Sequence, residues 1–186
     1  MNPLRERLPS LLALLLSVVA GCSSSPPHAE APSNAARGST PSAATERTPA
    51  VASFLKVHND ARKSVNVPPL QWSAELATYA QAWADQLAAN GGNLVHRTGS
   101  PYGENLAGGR GGAANPTKAA EYWLGERNAY RDGPFGGQDD VGHYTAMVWR
   151  TTTHVGYGTA ISPDGNWVVV ANYSPAGNIV GQYPYR

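Results

Sequence analysis

The chain reads as an α+β domain carried behind a processed leader, and three features predict it. Two apolar stripes at helical spacing open the folding part. A capped helix start follows in the middle, and two β-favouring runs joined by a turn close the chain. Helices first and strands last, in one small domain, predict helices packed over an antiparallel sheet.

The first stripe, from Val51 to about Val65, places Val51, Phe54, Leu55, Val57, Ala61 and Val65 mostly on one helical face, and Pro68-Pro69 stops it. Ser73 then reads as an N-cap, with Glu75 in the first turn where a carboxylate suits the helix dipole. Leu76, Tyr79, Ala80, Trp83 and Leu87 form its stripe, and Asn90-Gly91-Gly92 ends it. From Asn93 to Ala114 the chain is glycine-rich, with Gly108-Gly109 and Gly111-Gly112, and reads as irregular. Asn115-Pro116 is a cap followed by proline at the first helical position, predicting a helix to about Tyr130. A second glycine-rich loop, Asp132 to Gly142, leads into a short apolar run from His143 to Trp149. Val155 to Ile161 and Trp167 to Tyr173 have strand composition, and Ser162-Pro163-Asp164-Gly165 between them predicts an antiparallel hairpin.

The totals narrow the function. A chain of 186 residues is one domain plus appendages, and its formal net charge of +1 gives no basic face to offset phosphate, so no nucleic-acid partner is expected. Cys22 is the sole cysteine, which excludes an internal disulfide and a thiolate metal cluster. Arg5 and Arg7 precede an apolar run from Leu8 to Ala20, too short for a comfortable membrane span and suited to a secretory signal. Val19-Ala20-Gly21-Cys22 resembles a bacterial lipobox, which implies cleavage after residue 21 and acylation of Cys22. Residues 22–50, rich in Ser, Pro, Ala and Thr, cannot bury enough surface to order themselves and read as a tether to a membrane. The expected organisation is therefore a leader over 1–21, a lipidated tether over 22–50 and a domain over 51–186. The expected location is the bacterial cell envelope, outside the cytoplasm, and a monomer is expected.

Four polar residues stand out for chemistry: His96, Glu104, Glu126 and His143. Two imidazoles and two carboxylates are what a Zn²⁺ or similar divalent site uses. Scattered over about fifty residues, they carry no local geometry of their own. Larger motifs surround them. Gly142-His143-Tyr144-Thr145-Ala146-Met147-Val148-Trp149 and Asn172-Tyr173-Ser174-Pro175-Ala176-Gly177-Asn178 are similar to the two signatures of the CAP superfamily (cysteine-rich secretory proteins, antigen 5, pathogenesis-related proteins). His58-Asn59-Asp60-Ala61-Arg62 and Gly103-Glu104-Asn105-Leu106 match its two shorter motifs, in family order. Leu70 to Ala107 and Gly181-Gln182-Tyr183-Pro184-Tyr185 most resemble the plant pathogenesis-related branch.

The resemblance implies an α-β-α sandwich, helices on both sides of a small antiparallel sheet, with a large cleft. It carries the family's cleft tetrad onto His96, Glu104, Glu126 and His143, which in relatives holds Zn²⁺ or other divalent ions, typically through the two histidines. Glu121, two residues before Trp123 rather than three after, is expected to point elsewhere. His58, Asn59, Arg62, Asn105, Asn172 and Tyr173 are expected to be structural, with Arg62 bracing a carboxylate or the chain end. Ala171 and Gly92 stand at or near usual cysteine positions, so the disulfides of eukaryotic relatives are missing.

Three kinds of function follow from the resemblance. One is a binding module, taking a lipid-like or peptide ligand in a cleft walled by Tyr102, Tyr144 and Trp123. Another is a metal-dependent hydrolase with Glu104 or Glu126 as general base. A non-catalytic surface interaction protein is the third reading. Ser100 and Ser174 lack a nucleophile-elbow context.

Overall fold

The computed structural model describes residues 48–136, 138 and 140–186, so the leader, Cys22 and nearly all of the tether lie outside the described residues. Helix α1 (Pro49–Ser64) starts two residues before the expected domain start. Thr48 supplies the reason: its hydroxyl accepts from the Val51 N–H, and Pro49 fits the first turn, where no N–H is needed. A two-residue strand β1 (Gln71–Trp72) leads into α2 (Ala74–Ala89), capped by Ser73 and closed by Gly91 and Gly92, both with positive φ.

Next comes β2 (Gly103–Arg110), which corrects the irregular reading of that region. Its glycines are tolerated because the neighbouring strand supplies both register and side chains. Asn115 caps α3 (Pro116–Gly125), which ends about five residues sooner than expected and tightens into a 3₁₀ turn, Glu126–Asn128. A short helix α4 (Gly142–Met147) precedes the predicted hairpin, β3 (His154–Ile161) and β4 (Asn166–Ser174).

The sheet order is β1-β3-β4-β2, antiparallel except for the short parallel pairing of β1 with β3. The pleat of β4 divides the core. Val169, Ala171 and Tyr173 face Phe54, Ala61, Trp123, Tyr144 and Met147 from α1, α3 and α4. Val168 and Val170 face Ala80, Ala84 and Leu87 of α2. The α-β-α sandwich is therefore as expected, with one helix on one face and three on the other. The α2 backbone rests almost directly on β3: a Cβ at Gly158 would lie 2.3 Å from the Gln81 Cα, so no larger residue fits there.

Candidate functional site

The loop before β2, β2 itself, the 3₁₀ turn after α3 and the start of α4 carry the four candidate side chains. His96 lies in the loop between α2 and β2. Its Nδ1 donates to Glu104 Oε1 at 2.8 Å, and the Arg97 N–H reaches the same oxygen at 3.0 Å. The loop is pinned to α2: the Trp83 indole donates to the Val95 carbonyl at 3.0 Å, and the Arg97 guanidinium stacks 3.9 Å above the Tyr79 ring. Glu104 alternates with Asn105 along β2, so it shares the α2 face with Leu106. Its side chain is only 6% exposed, against 68% for His96. Glu104 Oε2 is buried and has no hydrogen-bond partner among the described residues.

His143, near the start of α4, forms the second pair. Its Nδ1 donates to Glu126 Oε1 at 2.5 Å, while Glu126 Oε2 accepts the backbone N–H of His143 at 2.9 Å and of Tyr144 at 3.1 Å. Glu126 thus does for α4 what its N-cap residue Val141, which makes no side-chain bond, does not. This explains the early end of α3: continuing the helix would swing the carboxylate off these donors. The His143 ring stacks on Trp123 at 6.0 Å and 18°, and Trp123 donates its indole N–H to the Leu106 carbonyl at 3.1 Å.

The four residues therefore stand as two histidine–carboxylate pairs. Among the described residues, no group of three or more His, Cys, Asp or Glu is placed to hold a metal ion. In each pair the carboxylate, an acceptor, fixes the proton on Nδ1 and leaves the Nε2 lone pair free, the orientation that second-shell carboxylates impose on metal-binding imidazoles.

The expected structural residues link this site to α1. His58 is fully buried; its Nδ1 donates to the Phe54 carbonyl at 2.9 Å, so its Nε2 accepts from the Tyr173 hydroxyl, also at 2.9 Å. That hydroxyl accepts from Asn105 Nδ2 at 3.1 Å, and the same amide group donates to the His143 carbonyl at 3.1 Å. Burial pushes His58 from 6.5 down to about 4, opposed by the bond to Phe54 and helped by the nearby Arg62 charge. Burial likewise raises Tyr173 and lowers Arg62 to about 10, so the histidine stays neutral and the guanidinium charged at neutral pH.

Arg62 braces neither a carboxylate nor the chain end. It donates to the carbonyls of Pro68, Met147, Trp149 and Thr152, tying α1 to the segment after α4. Asn59 mimics a peptide, pairing with both backbone groups of Leu70. Asn172 donates to the Gly103 carbonyl at 3.2 Å, and its buried Oδ1 has no partner among the described residues. Glu121 pairs with Lys118 on the surface of α3 rather than with either histidine.

A groove of about 440 Å³ opens beside His143, along the free edge of β2. Its walls differ from the expected ones. Trp123 and Tyr144 are core residues, and Tyr102 turns to Glu75 instead. Leu94, Tyr122 and Trp167 line the groove, and the glycines of β2 let them in: a Cβ at Gly109 would lie 2.8 Å from the Trp167 ring. Spacing gave no signal for Tyr122, an exposed residue on the outer side of α3.

The cysteine-rich secretory protein family profile matches residues 55–173. Pathogenesis-related protein 1C of Nicotiana tabacum is 45% identical over 134 residues, covering 71% of this chain and 79% of that protein. Pathogenesis-related protein 1 of Arabidopsis thaliana is 39% identical over 132 residues, covering 71% and 80%. A crystal structure of NaASP2 with Zn²⁺ superposes with a TM-score of 0.62 at 26% identity, covering 73% of this chain and 84% of the other. BmVAL-1 superposes at 0.64 with 22% identity, covering 75% and 83%. The fold, the ordered motifs and the two histidine–carboxylate pairs thus have one common explanation: this chain belongs to the CAP family, the cysteine-rich secretory proteins.

Proposed function

We propose that the domain is a binding module that takes an elongated lipid-like or peptide ligand in the groove along β2, with a divalent ion recruited by the two imidazoles. The observation that carries this reading is the placement of His143. Its Nδ1 is spent on Glu126, and the same residue lines an otherwise largely apolar groove. A groove with an apolar lining and few polar groups suits a ligand that is mostly hydrocarbon or extended chain with one donor-seeking end.

The donor set suits a divalent ion of the zinc kind. His96 and His143 would hold it through Nε2, each braced by a carboxylate, and the ion would supply a Lewis-acid anchor for an anionic ligand end. With two protein nitrogens, the remaining positions belong to water or ligand, so binding is expected to be weak until a ligand completes it. The similarity to NaASP2, solved with Zn²⁺, supports the choice of metal. Outside the domain, Cys22 is proposed as the acylation site that holds the protein on the outer side of a bacterial membrane.

A hydrolase is the weaker reading. Both oxygens of Glu126 are committed to holding His143 and the start of α4, and the spare oxygen of Glu104 is buried. A general base needs a free oxygen facing the water it activates.

The test is thermal unfolding with and without Zn²⁺ at neutral pH, on wild type and on His96→Ala/His143→Ala. Zinc should raise the wild-type Tm by a few degrees, as binding to the native state alone demands. The double variant should show no rise. A wild-type Tm indifferent to Zn²⁺ removes the metal from the proposal. Peptide cleavage that needs Zn²⁺ and disappears in Glu104→Gln would replace the binding module with the hydrolase.

A further inference from the structure

A polar hollow of about 270 Å³ lies where the start of α2 meets the first residue of β3 and the last of β4, and the reading above makes no use of it. Ser73, Glu75, Tyr102, His154 and Ser174 line it. Register brings two of them together: His154 stands directly opposite Ser174 in the β3–β4 ladder. The pleat turns both side chains towards α2. His154 shares its face with Gly156, where a Cβ would lie 2.6 Å from the Ser73 carbonyl oxygen, and Ser174 shares its face with Val168 and Val170. Cross-strand neighbours on one face stand about 5 Å apart at Cβ, close enough to hold one small ligand between them.

The hydrogen bonds already made fix what each group still offers. The Thr153 hydroxyl donates to the Ser174 carbonyl at 3.3 Å, so it accepts from His154 Nδ1 at 2.8 Å, and Nε2 keeps its lone pair. Tyr102 donates its hydroxyl proton to Glu75 Oε1 at 3.1 Å, which leaves Oε2 to accept from elsewhere. The Ser73 oxygen takes the Leu76 N–H at 3.2 Å, which leaves its proton to donate. The Ser174 hydroxyl can do either. The hollow therefore presents a carboxylate oxygen, an imidazole nitrogen and two hydroxyls beside a tyrosine ring. An anion would meet the Glu75 charge, and a hydrocarbon would strand the polar groups. A compact frame carrying several hydroxyls, each donor and acceptor at once, satisfies all of them.

We infer that this hollow binds one sugar ring of a saccharide chain, whose hydroxyls donate to Glu75 Oε2 and His154 Nε2. A second hollow, of about 420 Å³, shares Glu75 and Tyr102 with the first and adds Thr78 and Tyr79. Tyr79 and Tyr102 meet edge to face, with centroids 4.9 Å apart and planes at 88°, and the Arg97 guanidinium covers one face of Tyr79 at 3.9 Å. The two rings are thus held in place before a ligand arrives, and their apolar surface suits the C–H face of a sugar. Two adjoining hollows with a common wall suit two consecutive units of one chain.

The test uses the full chain, isotope-labelled and carrying Cys22→Ser, titrated separately with maltotriose, cellotriose and tri-N-acetylchitotriose to millimolar concentration. At least one of them should shift the amide signals of Glu75, Tyr102, His154 and Ser174. Glu75→Gln should weaken that binding about tenfold, because a charge-assisted hydrogen bond becomes a neutral one. His154→Leu, which removes the imidazole acceptor, should weaken it by a similar factor. Glu75 is exposed, so its variant should unfold at the wild-type temperature and keep the test open if His154→Leu folds poorly. No shift with any of the three sugars overturns the inference, and so does an affinity unchanged in Glu75→Gln. Shifts confined to Leu94, Tyr122 and Trp167 also overturn it, because the sugar would then lie in the groove along β2 instead.

Discussion

His58 and His143 hang on one hydrogen-bonded chain, joined through Tyr173 and Asn105, yet the protein treats them in opposite ways. The His58 ring is buried and both nitrogens are consumed, by a carbonyl and a hydroxyl. The His143 ring is 32% exposed, one nitrogen is fixed by a carboxylate, and the residue lines an apolar groove. The same side chain is a core brace in one place and a presented donor in the other. Motif membership does not separate them; burial and the second ring nitrogen do. The comparison predicts that changes on the His58–Arg62 side cost stability and leave binding chemistry alone, while changes at the groove do the reverse.

The sharpest way to break that division is at Arg62. Its buried guanidinium satisfies four carbonyls, so Arg62→Met leaves acceptors stranded at the junction of α1 with the segment after α4. A loss of at least about 4 kcal/mol in urea unfolding is expected, or failure to accumulate folded protein. Arg62→Lys should be milder but still costly, because one ammonium cannot serve the whole fork. A loss below about 1 kcal/mol would show that the brace is incidental.

His58 sharpens the comparison through pH. Its folded-state value, about 4, lies below the 6.5 of an unfolded chain. The neutral ring is thus favoured by folding. Its contribution is complete above pH 6.5, is lost as pH falls from 6.5 towards 4, and changes no further below that. A shift of this size corresponds to about 3 kcal/mol, to be read as an order of magnitude. His58→Gln, which keeps a donor and an acceptor without a titrating ring, should be less stable at pH 7.5. Its stability should also fall less steeply than wild type between pH 6.5 and 4. Parallel curves for the two proteins would place the acid sensitivity elsewhere.

The same contrast governs what could be read in the sequence. Local signals found the local structure: Ser73 and Asn115-Pro116 start their helices, and Ser162 to Gly165 turns the hairpin. β2 is not legible in the sequence because its Gly108 and Gly109 deny it a strand pattern; what makes it a strand is β4, about sixty residues on, together with Leu94 and Trp167 filling the space. β1 is two residues long, below what periodicity detects. α3 ends short of its helical spacing because Glu126 is recruited by donors on α4, a tertiary demand that the spacing does not contain. The four residues stand out by type, but only the resemblance joins them as one tetrad. Even then its division into two pairs depends on which side of β2 Glu104 faces, a fact of register rather than of motif.

The smallest expected change in stability, and the most telling for the groove, is at Tyr122. Its ring is 72% exposed and supports no other element, so folding has little use for it. Tyr122→Ser should leave urea unfolding within about 0.5 kcal/mol of wild type. Yet the ring stands on the wall opposite β2, where an elongated apolar ligand would lie against it, and an aromatic contact of that kind is worth about 1 kcal/mol beyond its area. Titration with a fluorescent fatty acid, followed through transfer from Trp167, should therefore weaken several-fold in the variant. If affinity is unchanged while stability drops, Tyr122 belongs with the braces, and the division between the two histidines fails at the groove it was meant to explain.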